Sequence, residues 1–331
     1  MITSLYQSLC NMETNIADRV ALRWYDEKKQ GVAEVHYAQY AQDLRRFVAF
    51  LRAEYGDVRG KRVAILARNS YQYVICMYGT VIAGAVAVPL NLGKDWDAIS
   101  YELGLTEPVC ILQDGEFAER EPALAETYGS ILKPMDAFSA YEPAEDVTEV
   151  EDLSALAFIM FTSGTTGRSK GVMLSEKNYF TACQMYINGQ KDILDQEERL
   201  APQYLDQTFS HFTLVPMFHL AGFICYFVYG IQGWTLNLCC DARDLRRDMS
   251  LMHSDAMSTP PVLVEMIYNE IKRGHADRLN GLWNLSCSSA ILDPAILSEL
   301  VKNGFYINQC YSMTELAGYG LLNVTQEGDH R

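Results

Sequence analysis

Cations are scarce in this sequence. Its 331 residues hold 27 lysines and arginines against 42 aspartates and glutamates, for a formal net charge of −15. A field of that sign repels nucleic acid and anionic membrane, so neither is expected as a partner. The nine cysteines include no CxxC pair, and with the six histidines they offer no zinc-ligand spacing. Their odd number and their placement in apolar runs predict reduced, buried thiols in a cytoplasmic protein. The N-terminal stretch MITSLYQSLCNMETN lacks a basic start and an apolar centre, so it does not read as a signal peptide. Internal repeats and low-complexity segments are absent.

Charge is also missing locally. Tyr73–Leu92 and Leu220–Cys240 contain no charged side chain. Gly84 and Pro89 divide the first into helix and strand; Gly222, Gly230, Gln232, Gly233 and Asn237 divide the second into helix, turn and strand. A parallel sheet covered on both faces produces such runs, so no transmembrane segment is expected. With 49% hydrophobic and 21% charged residues, the chain suits a soluble protein large enough for two units.

What is present is an α/β rhythm. Strands are predicted at Arg62–Ala67, Ala85–Val88 and Val109–Leu112, with helices at Ser70–Ala83 and Trp96–Leu105. The acidic stretch Lys133–Asp152 reads either as a connector between subdomains 1–150 and 151–331 or as a charged surface loop. The rhythm resumes with strands at Ala155–Phe161 and Gly171–Leu174 and a helix at Glu176–Asn188 that Ser175 caps. Further strands are expected at His211–Val215, Trp234–Leu238, Ala256–Ser258, Leu282–Cys287 and Tyr306–Cys310. Thr259-Pro260-Pro261 and Asp293-Pro294 each pair a capping side chain with proline at a helix start, and Gly304 closes the second of these helices.

The chemistry concentrates in Thr162–Gly171, TSGTTGRSKG, which follows an apolar strand directly. Glycines allow close backbone approach to phosphate oxygens, and backbone N–H groups and hydroxyls donate to them. Lys170 adds a mobile positive charge, the local exception that an anionic ligand needs in an acidic chain. A plainer reading is a flexible hairpin or linker. A kinase-type loop, G-x-x-x-x-G-K-[ST], fails at two positions: counted from Gly164, Ser169 replaces glycine and Gly171 replaces the hydroxyl residue.

The segment FTSGTTGRSKGVMLS resembles the signature of the adenylate-forming superfamily, in its acyl-CoA synthetase branch. YGTVIAGAVAVPLN (Tyr78–Asn91), VPMFHLAG (Val215–Gly222) and NQCYSMTELAG (Asn308–Gly318) are similar to further motifs of that family, in the expected order. The resemblance implies the layered αβαβα large N-terminal domain of these enzymes, truncated before its end. It implies ATP and Mg²⁺ as cofactors, with coenzyme A as acyl acceptor and a fatty or aromatic carboxylic acid as substrate. Thr162, Ser163, Gly164, Thr165, Thr166, Gly167 and Lys170 would form the phosphate site. Ser288, Ser289 and Ala290 would run along adenine, with Tyr311 stacking on it and Ser312 in the same turn. Thr314 would meet the α-phosphate and Glu315 would hold Mg²⁺. His219, with Phe218 beside it, would line the acyl or thiol channel.

Several positions depart from the family pattern. Ser169 replaces proline, Glu176 a frequent histidine, and Ser288, Ser289 and Ser312 replace glycines. Arg331 comes sixteen residues after Glu315, before the ribose-binding aspartate, hinge and mobile C-terminal domain that the family carries. The chain therefore reads as an N-terminal fragment, weakly active or inactive alone. A noncatalytic nucleotide-binding or interaction module of the same fold is the alternative.

Overall fold

The computed structural model describes residues 2–162, 167–196, 209–288 and 290–325, with backbone alone at 190–196, 224–229 and 319–325. Two compact units interleave along the chain. The first comprises Met1–Asp18, His36–Thr181 and Pro216–Leu220; the second comprises Arg19–Val35, Ala182–Val215 and Ala221–Arg331.

The first unit is built on six strands: β3 (Arg62–Leu66), β4 (Val86–Pro89), β5 (Cys110–Gln113), β6 (Leu132–Pro134), β7 (Leu156–Thr162) and β8 (Lys170–Ser175). Their spatial order is β6-β5-β3-β4-β7-β8. All neighbours are parallel except β7 and β8, which form an antiparallel hairpin. Val63, Ala64, Ile65 and Leu66 are fully buried, as expected of a strand covered on both faces. Ser70 accepts the Tyr73 N–H at 3.1 Å and caps the helix Tyr71–Ile82. That helix and β4 account for the first uncharged run. The acidic stretch Lys133–Asp152 lies wholly within this unit, where Asp146 pairs with Arg52 at 2.8 Å.

The second unit has eight strands. They are β1 (Val20–Asp26), β2 (Gly31–His36), β9 (Ser210–Thr213), β10 (Thr235–Leu238), β11 (Ala256–Thr259), β12 (Asn284–Ser288), β13 (Tyr306–Met313) and β14 (Gly318–Thr325). Their order is β14-β13-β12-β11-β9-β10-β1-β2. The run β13 to β1 is parallel, and β14 turns back antiparallel on β13. Phe212, Met257, Val264, Leu285 and Ile307 anchor its core. Helix Leu220–Gln232 followed by β10 accounts for the second uncharged run. Among the described residues no helix is long and apolar enough to cross a membrane.

The proline signals divide. Asp293 accepts the Ala295 N–H at 2.7 Å and caps the helix Pro294–Lys302, beyond which Gly304 adopts φ +86°. Thr259 does not cap its helix. Pro260 occupies the cap position of Pro261–Lys272, and the Thr259 hydroxyl donates to the Pro260 carbonyl at 3.3 Å. Thr259 is the last residue of β11, so its side chain follows the sheet rather than the helix start.

Candidate functional site

In open parallel sheets, ligands collect beyond the carboxyl ends of the strands. In the first unit those ends carry the loop after β3, the loop after β4 and the β7–β8 connection. Thr162 and Lys170 are cross-strand partners at the mouth of the hairpin, and Lys170 is exposed. Gly167 adopts φ +88°, a left-handed conformation suited to glycine. Gly171 is required for another reason: a Cβ there would lie 2.8 Å from Ile159 Cγ2. A strand follows the loop, whereas the kinase-type phosphate loop runs into a helix. Ser163, Gly164, Thr165 and Thr166 lie outside the described residues.

His219 reaches the same unit through the turn after Pro216, where its N–H donates to the Pro216 carbonyl at 2.9 Å. Asn69, in the loop after β3, accepts the Met217 N–H at 3.0 Å and fixes that turn. The Phe218 and His219 ring centroids are 4.7 Å apart. His219 keeps an exposed edge. Burial against the protein behind it, and then the Lys94 charge, lower its basicity and favour neutral imidazole.

Two residues beyond the sequence-derived set join this region. The Lys94 ammonium group pairs with Glu102, whose side chain is fully buried, and donates to Ser169 Oγ at 3.1 Å. It also lies 5.9 Å from the Phe161 ring centroid. A signal for Glu102 exists in the sequence. It shares the buried stripe Ile99, Leu103 and Thr106 of helix Trp96–Thr106, and a carboxylate in an apolar stripe calls for a counter-charge.

In the second unit the candidate residues gather at the ends of β12 and β13. Ser288, the last residue of β12, pairs with Cys310, immediately before Tyr311. A register shift between Tyr311 and Ser312 interrupts the β13–β14 ladder. Such a bulge re-aims side chains. Tyr311 is 57% exposed there, and its hydroxyl donates to Met313 Sδ at 3.2 Å. Thr314 and Glu315 open a single turn, Thr314–Leu316, which has no side-chain cap. Ala290 and Glu315 are exposed, while Ser288, Ser312 and Thr314 are half-buried. Ser289 lies outside the described residues. No cluster of three His, Cys, Asp or Glu side chains suited to a metal occurs among the described residues. The exposed Glu315 carboxylate is a hard oxygen donor, a ligand type that Mg²⁺ accepts alongside phosphate and water.

The family described as AMP-binding enzyme matches residues 12–331. A feruloyl-CoA synthase of Amycolatopsis is 28% identical over 297 residues, which cover 87% of this chain and 56% of that protein. A 2-succinylbenzoate–CoA ligase of Bacillus licheniformis is 27% identical over 295 residues, covering 86% and 56% respectively. The chain thus spans little more than half the length of these relatives. The inhibitor-bound N-terminal domain of FACL13 from Mycobacterium tuberculosis has the same fold. Its TM-score is 0.78 at 20% identity, over 98% of this chain and 79% of that one.

Proposed function

The chain belongs to the AMP-binding enzyme family, and on that premise we propose that it binds Mg·ATP and serves activation of a carboxylic acid as its acyl-adenylate, followed by transfer to coenzyme A. The observation that carries this reading is the β7–β8 hairpin, which clamps Thr162 against an exposed Lys170 and joins them by a glycine- and hydroxyl-rich loop. The names of the relatives, two acid–CoA ligases, support the reaction class.

In that reaction the substrate carboxylate attacks the α-phosphorus and pyrophosphate leaves. Carboxylate is a weak nucleophile, so the protein must contribute positioning and neutralisation of phosphate charge. Lys170 supplies up to three donors to the β- and γ-oxygens, and the loop hydroxyls and N–H groups add neutral ones. Tyr311 offers an exposed ring for adenine. Thr314 donates to the α-phosphate. Glu315 would hold Mg²⁺, which would supply further charge neutralisation. Neutral His219 lines the acyl channel without adding to the charge of Lys94. Phe218 and the apolar run Phe223–Tyr229, with no acidic residue between Leu214 and Tyr229, favour a fatty or aromatic acid over an amino acid. The reading places the protein in the cytoplasm, with its cysteines as reduced thiols in apolar runs of the sequence.

Calorimetry with Mg·ATP on wild type and Lys170→Ala tests nucleotide binding, and carboxylate-dependent pyrophosphate exchange over a panel of acids tests the reaction. Heat from wild type, reduced in the variant, with weak exchange for at least one acid, is the expected result. Binding without exchange for any acid would favour a noncatalytic nucleotide-binding module, and ADP as product would point to phosphoryl transfer.

A further inference from the structure

The Lys94 ammonium group has three N–H donors. One serves Glu102 and one serves Ser169 Oγ; the third has no protein partner among the described residues. The Lys94 side chain remains 22% exposed, while that of Glu102 is fully enclosed and its Oε2 has no hydrogen-bond partner among the described residues. The ion pair is therefore asymmetric: the carboxylate is sealed inside and the cation forms its lid. The segment that carries Lys94 is itself held. Arg120 Nη2 donates to the carbonyls of Leu92 and Lys94 at 2.7 and 2.9 Å. Asp95 accepts the Ala98 N–H at 2.9 Å, capping the helix that bears Glu102.

Ser169 receives the Lys94 N–H on its oxygen, which leaves its own hydroxyl proton available. That proton has no acceptor among the described residues, and Ser169 adjoins Lys170 in sequence. Its loop is tied to the first unit a second time by Arg168, whose guanidinium lies 5.2 Å from the Tyr101 ring centroid. Tyr101 precedes Glu102 on the same helix. One helix thus contacts two consecutive loop residues, Arg168 through Tyr101 and Ser169 through the Glu102–Lys94 pair.

We propose that Lys94, anchored on Glu102, is a positioning residue for the phosphate loop that aims the Ser169 hydroxyl, together with its own unused N–H, at the β- and γ-phosphates of ATP. This rests on the nucleotide-binding function proposed above. A lysine present only to neutralise Glu102 would leave phosphate recognition unchanged when both charges are removed together.

Lys94→Met alone leaves a buried carboxylate without its counter-charge and risks unfolding. The informative proteins are Ser169→Ala, the pair Lys94→Met with Glu102→Gln, and the combination of all three. Each is titrated calorimetrically with Mg·ATP and separately with AMP, after thermal melting has verified folding. The expected result is about tenfold weaker Mg·ATP binding for Ser169→Ala and for the charge-removed pair. AMP affinity stays unchanged, and the combined loss is smaller than the product of the separate ones. Unchanged Mg·ATP affinity in folded variants, or equal losses for AMP and ATP, overturns the positioning role while leaving the proposed function standing. Wild type without affinity for Mg·ATP overturns both.

Discussion

Thr162 and Lys170 are directly opposed as the last ladder pair of the β7–β8 hairpin, so the two ends of the proposed phosphate loop are tied together by the sheet. The ladder supplies the local rigidity, and Lys170 extends from it as an exposed cation. Removing that side chain should leave the hairpin intact and cost binding. Lys170→Ala is expected to weaken Mg·ATP by roughly tenfold or more, with a melting temperature close to that of wild type. Calorimetry alongside thermal melting checks both parts; an unchanged affinity would remove Lys170 from the phosphate site.

Gly171 faces the opposite demand. A methyl group there meets Ile159 Cγ2 at 2.8 Å, within the same hairpin. Gly171→Ala should destabilise the protein by about 1–3 kcal/mol through overpacking. Adding Ile159→Ala should recover part of the loss, because it deletes the atom that clashes. A double-mutant cycle by denaturant unfolding measures the coupling.

Tyr311 pairs with Leu321 beside the register shift, and because its ring is exposed little of the fold depends on it. Tyr311→Ala should weaken Mg·ATP and AMP alike by about tenfold through lost base stacking, with little change in stability. Tyr311→Phe, which loses only the hydroxyl contact to Met313, should bind as wild type does. Parallel titration of the two variants separates stacking from hydrogen bonding.

The Glu176 carboxyl is buried and accepts the Leu5 backbone N–H, which ties the start of helix Glu176–Gln196 to the N-terminal helix Leu5–Thr14. Burial raises its pKa from 4.5 to about 7; the Leu5 N–H opposes the shift and nearby Glu149 adds to it. The folded protein thus retains a proton that the unfolded chain releases between about pH 4.5 and 7. The resulting stabilisation is complete below that window, declines as pH rises through it and is lost above it. Glu176→Gln should remove this part of the pH dependence and stabilise the protein above the window by roughly 1–3 kcal/mol. Melting curves of the two proteins across the window provide the check; curves that stay parallel would show that Glu176 does not titrate there.

Much of this architecture was legible in local rules. Ser70 and Asp293 accept the N–H groups that their places before helices require, and fully buried strands such as β3 and β4 show as short apolar runs. The loop proposed to bind phosphate stands out because its glycines and Lys170 depart so clearly from the composition around them. Tyr311, Thr314 and Glu315 were different. Their local pattern is that of an ordinary strand end, and only the resemblance of whole motifs singled them out.

By itself, the sequence determined the α/β rhythm, the composition of the loop and the family, because these depend on neighbouring residues or on motifs read in order. Only the tertiary structure decided which distant segments meet. Leu22 pairs with Leu236 across more than half the chain, and β7 joins its sheet where Ala87 meets Phe158. It also decided that Thr259 follows its strand instead of capping a helix, and that Glu102 finds its counter-charge in Lys94. The physical reason is common to all four. Burial and pairing energies depend on what the rest of the chain brings to a position, and no local window contains that partner.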